Sequence, residues 1–188
     1  MKKQIMSLSL FLLIFIFSAC GATESAQSDV SGSIAHSVAV NAHGHGISPT
    51  DEFIDASNPK FAVGSKVIIL ADHMEGMAGA QGVVSGAYDT TVYAIDYEDK
   101  ETGEKITNHK WIIHEEIEGA AQTAYAVGDT VTLKAGHIST MGGEGVTATI
   151  SEVVPGVAYM VDYQPTDGSE AVEKHQWVVE SELEAVAS

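Results

Sequence analysis

Short apolar stretches, each only a few residues long, recur along the chain from residue 61 onward. β-Branched and aromatic side chains fill these stretches, and Gly or Asp residues bound them, which is typical of β-strands. Beyond the first twenty residues no long apolar stretch has helical periodicity, so the pattern predicts an all-β fold. The predicted strands are residues 66–70, 82–84, 91–97, 110–113, 130–133, 146–150, 158–163 and 176–179.

The strand pattern is duplicated within the chain. The Ala-Val-Gly motif that opens each unit recurs 64 residues later, at Gly64 and Gly128. The His-x-Trp motif that closes each unit recurs 66 residues later, at Trp111 and Trp177. The second unit therefore carries a two-residue insertion, which we place near Pro155. Such a duplication indicates two structural repeats of the same kind.

The number of strands in each repeat favours a small closed barrel. Four or five strands in about 60 residues pack best when closure removes exposed sheet edges. The Val-Gly-x-x-Val opening and the Tyr-x-Val/Ile-x-Tyr strand resemble SH3-like barrels of the KOW and Tudor kind. We therefore expect two tandem small SH3-like barrels, repeat 1 at residues 60–119 and repeat 2 at residues 124–185. Because the joint between them is short, we expect the repeats to touch.

The chain begins with features of an export signal. In residues 1–19, two lysines precede an apolar run that is too short for an ordinary transmembrane span. The run ends at Cys20, the only cysteine, and resembles a bacterial lipoprotein signal in which that cysteine carries the lipid. We expect lipid anchoring on the outer face of the bacterial cytoplasmic membrane, extracellular or periplasmic. Residues 20–59, rich in small and acidic residues, are predicted to be a largely disordered tether.

The chain is strongly acidic, with 26 acidic residues against nine basic ones and a net charge of −17. This charge argues against electrostatic binding to nucleic acid or to an anionic membrane surface. It favours cationic partners, metal ions included. The other interpretation is that the acidity only aids solubility, and composition leaves both open.

One imidazole and two thioethers lie within five residues, at His73, Met74 and Met77. A second copy of the His-x-x-x-Met pattern lies at His137 and Met141. Imidazole and thioether suit soft metals, copper(I) above all. The three groups of the first copy can converge only in a turn. The alternative is that these methionines fill the core, because Met commonly packs irregular gaps.

Six further residues are candidate metal ligands or site-lining groups. In each repeat a His precedes a Trp by two residues, so a strand would present both on one face. A Trp face there could cap a bound cation, whereas core packing for the Trp and a structural hydrogen bond for the His are the alternatives. A His-x-His pair in the tether can bind copper(II) or zinc weakly, or is simply solvated. The six residues are His109, Trp111, His175, Trp177, His43 and His45.

The repeat motifs resemble those of the DUF1541, or YdhK, family of bacterial tandem-repeat lipoproteins. Residues 73–80 match its His-Met-x-Gly-Met-x-Gly-Ala motif, residues 90–93 its Thr-Thr-Val-Tyr motif, and residues 108–112 its Asn-His-Lys-Trp-Val motif with Ile in place of Val. The resemblance implies copper binding at the cell surface and a contribution to copper resistance. Ile138 and Thr140 depart from the first motif, which implies a weaker site in repeat 2.

No spacing of Ser, His and Asp proposes a catalytic triad, and no glycine-rich phosphate loop is present, so we expect a non-enzyme. The recurring Asp96 and Asp162 are interpreted as turn or strand-edge hydrogen-bonding groups. We expect copper(I) as the ligand, no cofactor needed for folding, and no nucleic-acid partner; the pattern identifies no protein partner. A different class of function, a cell-wall or protein-binding module, would require an exposed aromatic face. The candidates for that face are Tyr88, Tyr93, Tyr97, Tyr159 and Tyr163.

Overall fold

The computed structural model describes residues 52–100, 102–134 and 145–187, which fall in one compact unit. Seven strands and two single-turn 3₁₀ helices, His114–Glu116 and Glu180–Glu182, account for its regular structure. In the described ranges there is no α-helix and no helix long and apolar enough to cross a membrane. The all-β prediction is confirmed. The strands are β1 (Lys66–Ile69), β2 (Gln81–Glu98), β3 (Lys105–Ile113), β4 (Thr130–Leu133), β5 (Val146–Tyr163), β6 (Val172–Val179) and β7 (Leu183–Ala185).

The seven strands form one antiparallel sheet that contains both repeats. The strand order is β4-β5-β2-β1-β7, with β3 paired to β2 and β6 paired to β5. The sheet is organised by β2 and β5, which have 18 residues each and pair from Gly82 opposite Tyr163 to Tyr97 opposite Ala148. Strands of this length are unusual. Two register shifts interrupt their pairing: after Val84 the extra residue is Ser85 of β2, and after Ala94 it is Ser151 of β5.

The repeats exchange halves across this sheet. One cluster, the first core, combines the early part of repeat 1 with the late part of repeat 2: Phe61, Val67, Ile69, Ala71, Met77, Ala80, Val84, Ala87, Tyr159, Val161, Tyr163, Val172, Val178 and Leu183. The second core combines the remaining halves: Tyr93, Ile95, Tyr97, Ile112, Ile117, Val131, Leu133, Val146, Ala148 and Ile150. Each core therefore needs both repeats.

A third apolar cluster lies where the two repeats cross. Both tryptophans are almost fully buried in it. Phe53, from the end of the predicted tether, packs against Tyr88 and Trp177 at its margin. This central cluster consists of Val92, Ala94, Trp111, Ile113, Ala158, Met160, Trp177 and Val179.

The predicted boundaries, repeat 1 at residues 60–119 and repeat 2 at residues 124–185, stay a prediction, as does the closure of each repeat into its own barrel. What the structure adds is that β1 pairs with β7 of the other repeat, while β2 pairs with β5. Because the pairing crosses between repeats, each repeat covers a sheet edge of the other.

Candidate metal site

The His/Met motif of repeat 1 lies in the loop between β1 and β2. The amide of Met77 donates to the carbonyl of Met74 (3.2 Å), and the amide of Gly79 donates to the carbonyl of Ile69 (2.8 Å). Gly76 and Gly79 have positive φ angles of 74° and 77°, which side chains rarely adopt. The stretch is therefore a series of turns, as convergence of its side chains requires.

This loop is docked against the β5–β6 turn of the other repeat. The Thr166 amide donates to the Gly76 carbonyl at 2.8 Å, and its hydroxyl donates to the same oxygen at 3.2 Å. A Cβ at Gly76 would lie 2.9 Å from Cγ of Asp167, so this approach requires glycine. The corresponding position of repeat 2 is Thr140, which lies outside the described residues.

His73 is anchored through one ring nitrogen. Its Nε2 lies 2.8 Å from Oε1 of Glu182, and the two side chains are only 9% and 14% exposed. A carboxylate only accepts hydrogen bonds, so Nε2 carries the hydrogen and the neutral ring keeps its lone pair on Nδ1. Nδ1 is buried and, within the described ranges, has no hydrogen-bond partner.

Glu182 organises the surroundings of His73. Its Oε2 accepts hydrogen bonds from Nε1 of Trp111 (2.8 Å) and from the amide of Val179 (3.0 Å). Burial by itself raises the pKa of this carboxyl, but the hydrogen bonds from His73, the Val179 amide and the Trp111 indole lower the pKa below its ordinary value. Glu182 therefore stays a carboxylate and holds the His73 ring in one orientation.

Two aromatic rings, one from each repeat, lie next to the His73 imidazole. The ring centre of His175 lies 6.4 Å from that of His73 at a tilt of 40°. Trp111 meets His73 edge to face at 6.3 Å, and Tyr163 meets His175 edge to face at 5.9 Å. Met74 is partly buried against the first core. The structure thus brings together His73, Glu182, Trp111 and His175, with Met74 next to His73 in the chain.

The other proposed site residues either pack against other groups or lie outside the described ranges. Met77 is completely buried in the first core, the position that the core-packing alternative predicts. Trp177 is buried in the central cluster, and His109 packs edge to face against Tyr97 at 5.6 Å. The structure does not describe the remaining proposed residues, which are Cys20, His43, His45, His137 and Met141.

The remaining sequence interpretations concern two aspartates and five tyrosines. Asp96 accepts the amide of Asn108 and Asp162 accepts the amide of Lys174, both at 2.7 Å, so the predicted strand-edge hydrogen bonding is confirmed.

The five tyrosines proposed for an exposed aromatic face are buried or partly buried. Tyr88 is partly buried against the central cluster. The other four tyrosines are buried in the two cores, so the five do not form an exposed aromatic face; these four are Tyr93, Tyr97, Tyr159 and Tyr163.

Sequence reasoning missed Glu182 and its counterpart Glu116. Glu116 accepts the Ile113 amide at 2.8 Å and Nε1 of Trp177 at 3.2 Å, which mirrors the bonds of Glu182. The offset of 66 that equates the two tryptophans also equates these glutamates, so the repeat alignment carried the signal. Within the described ranges no group of three or more His, Cys, Asp or Glu side chains could hold a metal ion.

These features define a class, the all-β proteins in which two homologous repeats exchange halves within one sheet. The family model described as "Protein of unknown function (DUF1541)" matches residues 63–114 and 127–180, and the chain belongs to this family. The resemblance predicted from the repeat motifs is confirmed.

Relatives and solved structures agree with this assignment. The chain is 39% identical over 186 residues to the uncharacterized protein YdhK of Bacillus subtilis strain 168, covering 98% of this chain and 90% of YdhK. It is similar to the crystal structure of YdhK, a DUF1541 family protein of that bacterium, with 41% identity and a TM-score of 0.72 over 77% of this chain and 97% of the other. The solution NMR structure of the YdhK C-terminal domain matches with 45% identity and a TM-score of 0.62 over 66% of this chain and 93% of the other.

Proposed function

We propose that this protein binds copper(I) at His73, in the loop between β1 and β2, which is called the His73 loop below. It would sequester the ion at the cell surface, as a non-catalytic lipoprotein that contributes to copper tolerance. One observation carries the proposal: the His73 side chain is 9% exposed, is held through Nε2 by Glu182, and keeps a buried Nδ1 with no hydrogen-bond partner in the described ranges.

The arrangement around His73 is the one that metal-ligating histidines use. Such residues donate their second ring N–H to a carboxylate or carbonyl, which fixes the tautomer and raises the basicity of the ligand nitrogen. A buried acceptor without a hydrogen-bond partner costs about 1–3 kcal/mol. Because Nδ1 of His73 is such an acceptor, a ligand that binds its lone pair would offset this cost. A metal ion would take up that lone pair.

The ligands near His73 favour copper(I) over harder metals. Met74 follows His73 directly and is partly buried against the first core, and a thioether suits soft metals. When bound, copper(I) supplies no reaction here; it accepts lone pairs from neutral imidazole and thioether groups. The net charge of −17 would also concentrate cations near the site.

Met77 and the second repeat have smaller parts in the proposal. Met77 is completely buried in the first core, so its packing role accounts for its position without a metal. His137 and Met141 would form a weaker site, because Ile138 takes the place of the first thioether. We therefore assign the tighter site to His73 and Met74.

The test is competition for copper(I) against a chromogenic chelator under reducing conditions, with the full chain in detergent. Met74→Leu keeps the volume of the side chain and removes the sulfur. Loss of one soft ligand is expected to weaken binding by about tenfold or more, which is roughly 1.4 kcal/mol. The matched control is Met160→Leu in the central cluster, which should bind as the wild type does. Equal affinity in both variants would remove Met74 from the site.

The proposed membrane anchoring at Cys20 is supported only by the sequence of the export signal, residues 1–19. Cys20→Ala should move the protein from the membrane fraction to the soluble fraction. Retention of the variant in the membrane fraction at the wild-type level would reject the anchor.

The alternative function, a wall-binding or protein-binding module, has lost its main support. Its aromatic candidates are the five tyrosines, and four of them are at most 5% exposed. Their packing in the two cores accounts for them.

A further inference from the structure

We infer that His175, from repeat 2, is the second imidazole of the copper(I) site, so that the metal bridges the two repeats. The inference rests on the proposed function, since it presumes that His73 binds copper(I). The second imidazole comes from the other repeat, so the metal would have two imidazole ligands.

The separation of the two rings fits a shared metal. Two imidazoles can bind one metal through metal–nitrogen bonds of about 2.0 Å. The centres of the two rings are then at most roughly 6–6.5 Å apart. The largest separation occurs when the two metal–nitrogen bonds are nearly collinear. His73 and His175 have ring centres 6.4 Å apart. A near-linear arrangement of two neutral nitrogens is one that d¹⁰ copper(I) accepts readily, whereas copper(II) prefers tetragonal sites with four nitrogen or oxygen ligands.

The backbone before His175 departs from regular strand geometry. Lys174 has a φ of 53°, in the left-handed region, and its amide is held by Asp162 at 2.7 Å. Normal strand alternation is lost there, and every residue from 175 to 179 is buried. His175 itself is 5% exposed, so its ring lies in the interior beside His73.

Repeat 1 offers a matched comparison. Asn108 has a φ of 55°, Asp96 holds its amide in the same way, and His109 packs against Tyr97 as His175 packs against Tyr163. His109 therefore has the same local backbone and the same tyrosine contact as His175, but it is only half-buried. It serves as the control position for substitutions at His175.

The neighbouring groups suit a soft ion. Two neutral imidazoles suit copper(I), and the thioether of Met74, the residue after His73, is a soft group of the same kind. Because His73 and His175 come from different repeats, bound copper(I) would also stabilise the contact between them.

The experiment counts imidazole ligands by X-ray absorption on the full chain loaded with one equivalent of copper(I), in a His43→Ala, His45→Ala background. We expect two imidazoles in this protein and one in His175→Leu, which should also bind copper(I) at least tenfold more weakly. His175→Met, which supplies a thioether instead, should recover most of the affinity, and His109→Leu should leave the tight site unchanged.

The outcomes distinguish failure of this inference from failure of the proposed function. One imidazole in the unsubstituted protein, with copper(I) still lost in His73→Leu, overturns the inference and leaves the proposed function standing. Absence of tight copper(I) binding in the unsubstituted protein overturns both. If His175→Leu does not fold, the imidazole count of the unsubstituted protein and the affinity of His175→Met decide the matter: two imidazoles with thioether binding retained support the inference, and a single imidazole rejects it.

Discussion

At the scale of single residues, Glu182 has the largest influence on the candidate site. Its two carboxylate oxygens take three donors: the His73 ring, the Trp111 indole and the Val179 amide. It belongs to repeat 2, whereas two of its donors belong to repeat 1. A single carboxylate thus fixes the His73 tautomer and joins the repeats.

Replacing Glu182 by glutamine leaves one acceptor oxygen where there were two. At least one of the three donors then loses its partner or faces an amide N–H group. We expect Glu182→Gln to lower the free energy of unfolding by about 1–3 kcal/mol. Urea unfolding followed by circular dichroism measures this. Glu184→Gln, in β7 and exposed, should stay within about 0.5 kcal/mol of the unsubstituted protein. Equal stability of the two variants would contradict the role of Glu182.

At the scale of elements, the docking of the His73 loop depends on glycine at one position more than at another. Gly76 and Gly79 both have positive φ, but a Cβ at Gly76 would meet Asp167, whereas a Cβ at Gly79 meets nothing within 4 Å. The two glycines thus separate the backbone requirement from the packing requirement.

We expect Gly79→Ala to cost roughly 1–2 kcal/mol from the left-handed backbone alone. Gly76→Ala should cost about 1–3 kcal/mol more, because overpacking against the β5–β6 turn is added. Urea midpoints of the two variants provide the comparison. Equal losses would show that the loop does not depend on its contact with the turn.

The strands illustrate which parts of the structure the sequence could predict. The predicted strand at residues 130–133 coincides with β4, and residues 66–70 contain β1, because their β-branched residues and bounding turns are local signals. Residues 82–84 and 91–97 were predicted as two strands, but both belong to β2. The stretch between them contains Gly86 and Asp89, which look like turn residues, and is held extended by pairing with β5 of the other repeat. That pairing is distant in sequence, so no local pattern reveals it.

The same distinction between local and distant contacts applies to the candidate site. His73 and Met74 were found because their side chains and the adjacent glycines are close in sequence. Glu182 lies 109 residues from His73, and its role depends on the exchange of halves between repeats. The burial of Met77 in the first core likewise depends on partners such as Tyr163 and Leu183 from repeat 2.

At the scale of the whole molecule, each core is built from both repeats. An isolated repeat would leave half of the first core and half of the second core exposed to water, and a chain of about 60 residues has little apolar burial to spare. The two repeats are therefore expected to fold only together.

Fragments cut in the joint test this expectation. Residues 52–119 and residues 120–188, produced separately, should each give poorly dispersed NMR spectra, and mixing them should restore dispersion. Cooperative unfolding of either fragment alone would show that a repeat can close its own core.

The central claim is that Nδ1 of His73 binds copper(I) while Nε2 stays bonded to Glu182. Long-range ¹H–¹⁵N spectra of the imidazole rings, assigned with a His73→Asn variant, observe both nitrogens directly. Without metal, the spectra should show Nε2 protonated and Nδ1 unprotonated. One equivalent of copper(I) under reducing conditions should shift the Nδ1 resonance and leave Nε2 protonated. Unchanged His73 resonances in a sample that has bound copper(I), or a proton on Nδ1 before metal is added, would contradict the claim.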